Sequence, residues 1–104
     1  MWILQSSGSA RRELIFRLPT GGIKTLGRAR RADFIVDAAL VSRLHCRLEA
    51  GDNNLEVTDL SSTNGTYVNG KRVKRARLTS GDRLRVGRVE LTVHRKGPSE
   101  GNTT

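Results

Sequence analysis

A chain of 104 residues has room for one domain, and its 19 basic residues against 10 acidic ones leave a formal charge of +9, which draws anions without saying whether they are nucleic acid, acidic lipid or phosphoprotein. With 2 Phe, 1 Trp and 1 Tyr, the core has to be built from Leu, Ile and Val. The single cysteine excludes an internal disulfide, no apolar run approaches the roughly 18 residues of a membrane span, and Met1–Leu4 does not open a secretory signal, so an intracellular domain, cytoplasmic or nuclear and without a membrane partner, is expected.

In chain order, Trp2–Leu4 reads as a strand and Ser6–Arg12 as a polar turn. Leu14–Leu18 is a second strand, stopped by Pro19, Gly21 and Gly22, and Ile23–Gly27 is a third. Arg28–Asp33 is a basic loop and Phe34–Val36 a short apolar strand. Residues His45–Ala50 alternate, with Cys46 and Leu48 on one face and Arg47 and Glu49 on the other. Gly51–Asn54 is a hairpin loop, after which Leu55–Thr58 alternates on the return. Tyr67 and Val68 lead into Asn69-Gly70, a pair that accepts two residues at positive φ and so marks a tight hairpin turn. Leu84, Val86, Val89, Leu91 and Val93 define a last hairpin about Gly87-Arg88. The end of the chain, residues 96–104, has no periodicity and is expected to be a disordered tail, which leaves residues 1–95 as the domain. Ten to eleven short strands with frequent turns predict an all-β sandwich or barrel. Its binding residues are then expected on loops at one end.

Three loops hold the residues of interest. Gly27-Arg28 follows a strand, Ser42-Arg43-Leu44-His45 enters the next long strand, and Asp59–Thr66 reads Asp-Leu-Ser-Ser-Thr-Asn-Gly-Thr. Single pairs such as Gly-Arg are common by chance; the order and spacing of the set carry the signal. With Asp33-Phe34, Tyr67–Gly70, Leu78, Gly81-Asp82, Leu84 and Gly87, the pattern from about residue 2 to residue 95 resembles a forkhead-associated (FHA) domain.

The resemblance implies an FHA-like β-sandwich that binds a phosphothreonine in a partner protein, downstream of a Ser/Thr kinase. It implies that Arg28, Ser42 and Thr63 touch the phosphate, and that Asn64 holds the peptide main chain. Arg43 adds charge beside Ser42 and is expected on the phosphate or the peptide main chain. Gly27, His45 and Gly65 are expected to support the site. The chemistry suits the ligand: a phosphothreonine carries nearly two negative charges and three acceptor oxygens. Arginine offers a planar fork for them, and hydroxyls and an amide supply further bonds.

Other readings bear on the same residues. His45 beside Cys46 invites a catalytic dyad, but neighbouring strand residues point to opposite faces. His94 lies near the end of the last strand and is expected to be uninvolved. The run Lys71–Arg77 has five basic residues in seven, either a solvated edge that discourages sheet-to-sheet association or a secondary anionic contact. Arg30 and Arg31 share a loop with Arg28 and would favour acidic residues or a second phosphate. A nucleic-acid binder is the alternative that the charge offers; it is disfavoured because no aromatic residues interleave with the basic ones and no recognition helix is visible. A phosphate-independent assembly domain is the other alternative, since fold alone does not fix function. No clustered carboxylates and no metal-ligand spacing occur, so neither an enzyme, a metal site nor a cofactor is expected.

Overall fold

The computed structural model describes residues 1–6 and 13–96. Most of the expected turn at 6–12 and, Lys96 apart, the expected tail lie outside the described residues. Ser6 itself ends a strand rather than opening the turn.

Eleven strands are present and no helix occurs among the described residues: β1 (Trp2–Ser6), β2 (Ile15–Leu18), β3 (Ile23–Gly27), β4 (Phe34–Ile35), β5 (Cys46–Ala50), β6 (Leu55–Asp59), β7 (Thr66–Val68), β8 (Lys71–Val73), β9 (Arg75–Leu78), β10 (Arg83–Val86) and β11 (Val89–Arg95). They form a six-stranded sheet in the order β2-β1-β11-β10-β7-β8 and a five-stranded sheet in the order β4-β3-β5-β6-β9. The all-β sandwich expected from the sequence is the fold observed.

Alternation drives the assembly. In β5, Cys46, Leu48 and Ala50 are buried while Arg47 and Glu49 are exposed. In β1, Trp2, Leu4 and Ser6 point inward. The inner faces meet in one cluster that includes Trp2, Leu4, Leu26, Leu48, Val57 and Leu91, all fully buried. Burying a side chain of this size contributes about 1.5–3 kcal/mol, so the cluster, poor in aromatics, still supplies the main driving force. Trp2 Nε1 donates to the Gly51 carbonyl at 2.9 Å, which satisfies the one polar atom of that side chain and ties β1 to the β5–β6 hairpin. Phe16 and Phe34 stack with centroids 4.7 Å apart and join the β2 and β4 edges of the two sheets.

Three features escaped the sequence reading. First, β3 and β4 pair parallel, Leu26 with Phe34 and Gly27 with Ile35, although only a short loop joins them. Second, the basic run Lys71–Arg77 is not one edge but two. Its first part is β8, at the edge of the six-stranded sheet, and its last part belongs to β9, at the edge of the five-stranded sheet, with Lys74 between them. Third, β1 and β11 pair from Trp2–Arg95 to Ser6–Leu91, and Met1 and Lys96 exchange backbone bonds at 2.9 and 2.6 Å.

The Asn69-Gly70 turn has φ of 50° and 85°, as the hairpin reading requires. Asn69 also accepts the Arg83 amide at 2.9 Å and donates to Asp82 at 3.1 Å, so its side chain serves the scaffold.

Candidate functional site

Gly27 ends β3 where the chain must cross another backbone. A Cβ at this position would lie 2.7 Å from the Arg43 carbonyl carbon and 2.9 Å from Leu44 Cα, and closer still to the Arg43 oxygen. Only glycine permits this approach. It lets Arg28 N donate to the Ser42 carbonyl at 3.0 Å and Ala29 N to the Arg43 carbonyl at 3.1 Å. The β3–β4 and β4–β5 loops are thus stitched main chain to main chain.

The side chain of Arg28 is exposed, but it is not loose. Its Nε donates to the Val41 carbonyl at 3.0 Å. This bond fixes the guanidinium plane, and neither terminal amino group bonds a side chain or carbonyl of the described residues, so both can reach an acceptor. Arg43 is exposed, and its guanidinium makes no ion pair with a described residue; its backbone is what ties the loops.

Ser42 joins the second loop to the third. Its Oγ accepts the Thr63 amide at 3.1 Å, while its own amide donates to His45 Nδ1 at 3.0 Å. Because Nδ1 accepts there, the proton sits on Nε2, which donates to the Gly65 carbonyl at 2.8 Å. His45 is fully buried, just ahead of β5, and both of its ring nitrogens are used. The ring spans two loops in the manner of a brace. The opposite-face argument against a His45–Cys46 dyad needs correcting, since both residues are buried: His45 precedes the strand and turns toward the loops, while Cys46 enters the core. Burial, with a smaller push from Asp59, raises the Cys46 thiol to about 12, so it holds its proton and is no nucleophile at neutral pH.

The third loop is built around Asp59. Its carboxylate accepts the Ser62 amide at 3.1 Å, the Ser62 hydroxyl at 2.5 Å and the Thr66 hydroxyl at 2.7 Å. Burial alone would raise its pKa. The bonds from Ser62 and Thr66, with His45 nearby, outweigh that and hold the carboxyl below its ordinary range. Ser62 Oγ in turn accepts the Gly65 amide at 3.0 Å. Gly65 has φ +91° and Ser61 has φ 57°, so the loop closes tightly. Its tip presents Thr63 and Asn64, both exposed, and Asn64 Nδ2 donates to the Leu40 carbonyl at 3.1 Å. Leu40 is itself at φ 70° and half-exposed. The Gly87 turn packs beneath this segment, with its Cβ position 2.9 Å from the Ala39 carbonyl and 3.1 Å from Val41 Cγ2.

All eight residues singled out in the sequence therefore gather at one end of the sandwich. Arg28, Arg43, Thr63 and Asn64 face solvent, Ser42 is half-buried, and Gly27, His45 and Gly65 are buried behind them. Sequence reasoning missed Val41, whose contribution is a main-chain carbonyl, and it gave Asp59 no role. The Asp-x-x-Ser spacing at 59–62 was a usable sign, because aspartate commonly bonds the backbone a few residues on.

The charge balance favours an anion. The ion pairs among the described residues join Arg75 and Arg77 to Glu56, away from these loops. Asp33, the acid beside the basic loop, bonds the Thr25 amide at 2.8 Å and the Thr25 hydroxyl at 3.2 Å. The arginines of the basic loop make no ion pair with a described residue. No group of three or more metal-ligating side chains occurs among the described residues.

A family model described as FHA domain matches residues 24–87. The glycogen accumulation regulator GarA of Mycobacterium tuberculosis is 37% identical over 84 residues, covering 78% of this chain and 52% of its own length, so the chain spans about half of that relative. A structure from a study of phosphothreonine-dependent FHA domain interactions is similar with a TM-score of 0.78 and 31% identity, covering 92% of this chain and 97% of the other. The FhaA FHA domain, solved in complex with the intracellular domain of Rv3910, gives a TM-score of 0.78 and 32% identity, covering 89% of this chain and 99% of that one.

Proposed function

We propose, from the premise that this chain belongs to the FHA domain family, that residues 1–95 form a phosphothreonine-dependent protein–protein interaction module. It recruits a partner that a Ser/Thr kinase has phosphorylated, and it carries out no chemistry on that partner. The carrying observation is the state of Arg28: its Nε is anchored on the Val41 carbonyl at 3.0 Å, its terminal amino groups are free, and it is backed by the Ser42–Thr63 link at 3.1 Å. A cation held in this way loses little conformational freedom when a phosphate arrives.

In this reading Arg28 makes the charged bonds to the phosphate, and the Ser42 and Thr63 hydroxyls bond its remaining oxygens. Arg43 adds positive potential on the open side. Asn64, already steadied on Leu40, bonds the extended peptide main chain. Gly27, His45 and Gly65 hold the loops in register.

The test is calorimetry with a threonine peptide and its phosphorylated form. Binding of the phosphorylated form alone supports the reading, and equal binding of both would overturn it. Affinity for duplex DNA under the same conditions separates the nucleic-acid alternative, which would fall steeply with added salt because many phosphate contacts release counterions.

A further inference from the structure

Of the five basic residues between Lys71 and Arg77, the fold brings one against the site. Arg75 and Arg77 are in the other sheet, and Glu56 takes both, at 2.8 and 3.8 Å. Lys74 is the crossing point, where its carbonyl accepts the Asp59 amide at 2.8 Å. Lys71 pairs with Val68 and projects to the opposite face of β8 from Arg72.

Arg72 stands opposite Tyr67 on the outer face of the six-stranded sheet. Its side chain runs back to Gly65, where a Cβ would lie 2.6 Å from Nε, 3.1 Å from Cζ and 3.2 Å from Cδ. The guanidinium therefore rests on bare backbone, in the space that a side chain at residue 65 would fill. That backbone is held on both sides, the amide by Ser62 Oγ at 3.0 Å and the carbonyl by His45 Nε2 at 2.8 Å. The aromatic ring of Tyr67, the other natural seat for Arg72, already carries Arg85 at 4.0 Å. No carboxylate of the described residues pairs with Arg72. It is an exposed arginine whose side chain lies over Gly65, and Gly65 is one residue along the chain from Asn64 and two from Thr63.

We propose that Arg72 is a specificity-determining residue of this site, which takes an anionic side chain of the bound segment near its phosphothreonine. The anion is an acidic residue or a second phosphorylated residue. This rests on the phosphothreonine reading. Gly65 and Thr63 are two residues apart, at most roughly 7 Å, and the Arg72 head reaches on from Gly65; an extended peptide advances about 3.3 Å per residue, so the anion lies about two to four residues from the phosphothreonine.

The experiment uses the full chain and three sets of phosphothreonine peptides. One is neutral, with alanine at the flanking positions; the second carries a single aspartate at each flanking position in turn; the third carries phosphoserine there. In the wild type, aspartate at one of the positions about two to four residues away improves the dissociation constant about 3- to 5-fold over alanine, the scale of an exposed ion pair, and phosphoserine improves it more. Arg72→Gln removes both gains and leaves the affinity for the neutral peptide within about twofold. Arg30→Gln and Lys71→Gln keep the gains. A gain by phosphoserine alone assigns the second phosphate as the ligand, and equal gains assign charge of either source. The proposal is overturned if no flanking anion helps, if the gains survive in Arg72→Gln, or if that variant weakens neutral and acidic peptides alike. Failure of the wild type to bind the neutral phosphopeptide would instead remove the phosphothreonine reading itself, which the neutral set reports separately.

Discussion

Arg28 and Arg75 are both exposed arginines on the same small sandwich, and they are held in opposite ways. Arg75 lies 2.8 Å from Glu56, and the pair cancels on the face of the five-stranded sheet. Arg28 is fixed by a neutral carbonyl, that of Val41 at 3.0 Å. A carbonyl orients a guanidinium without neutralising it. In a chain of charge +9, the count of basic residues therefore says little about where an anion binds. What matters is which cations the fold leaves unpaired on rigid supports.

Arg28→Ala should break the comparison most sharply. It should cost about 2–5 kcal/mol of phosphopeptide binding, as losing a hydrogen-bonded charge partner does. Arg75→Ala should leave that affinity unchanged. Calorimetry on both folded variants decides it, and equal losses would mean that bulk charge, not the Arg28 geometry, drives binding.

Gly27→Ala tests whether the rigid support matters. The added methyl meets main chain that has no alternative rotamer, so the variant should lose about 1–3 kcal/mol of stability by overpacking. It should bind phosphopeptide more weakly even at temperatures where it is fully folded, because the Arg28 amide can no longer reach Ser42. Urea unfolding and titration on the same sample report the two effects.

Phosphothreonine against phosphoserine sharpens the comparison at the level of shape. Both carry the same charge, so the arginines cannot tell them apart. A pocket beside the phosphate for the threonine methyl would favour phosphothreonine by about 1–3 kcal/mol, of which burial of the methyl gives about 0.8. Paired peptides that differ only in that methyl measure it, and equal affinities would describe a general phosphate site.

The smallest expected effect is the response to acid. Asp59 has its folded pKa below its ordinary 3.8, so its contribution to stability is present above that value and is lost as the pH falls through the folded pKa. The melting temperature should fall as the pH drops below about 4. Asp33, Glu56 and Asp82 are also lowered, so Asp59→Asn is needed to isolate the share of the loop. That variant should be less stable at neutral pH and less sensitive to acid, and an unchanged acid response would show that the Asp59 network does not set the stability of this end.

The loops were more legible in the sequence than the sheets that carry them. Gly27, Ser42, His45 and Gly65 stand in the order and spacing of the FHA pattern, and the resemblance to it implied their roles; each is a residue type suited to the local bond it makes. The same holds for Asn69-Gly70, where a turn type demands the residues. The parallel β3–β4 pair and the split of Lys71–Arg77 between two sheets depend on partners far along the chain, and no local pattern encodes them. Val41 was invisible for another reason: every residue has a carbonyl, and only the folded path decides which one meets an arginine. Arg72 was read as one of five similar charges, and its place over Gly65 follows from register alone.

The pairing of β1 with β11 has a practical consequence for building with this domain. The seven residues of β11 run from the Gly87 turn beneath the site to Arg95, about 20 Å of strand, and Met1 meets Lys96 at the far end. A fluorescent reporter attached through Met1 would therefore sit a full strand length away from the loops. A circular permutant that joins the chain across Met1 and Lys96 and opens it at the exposed Asp52-Asn53 tip would alter neither the three loops nor the strands that hold them.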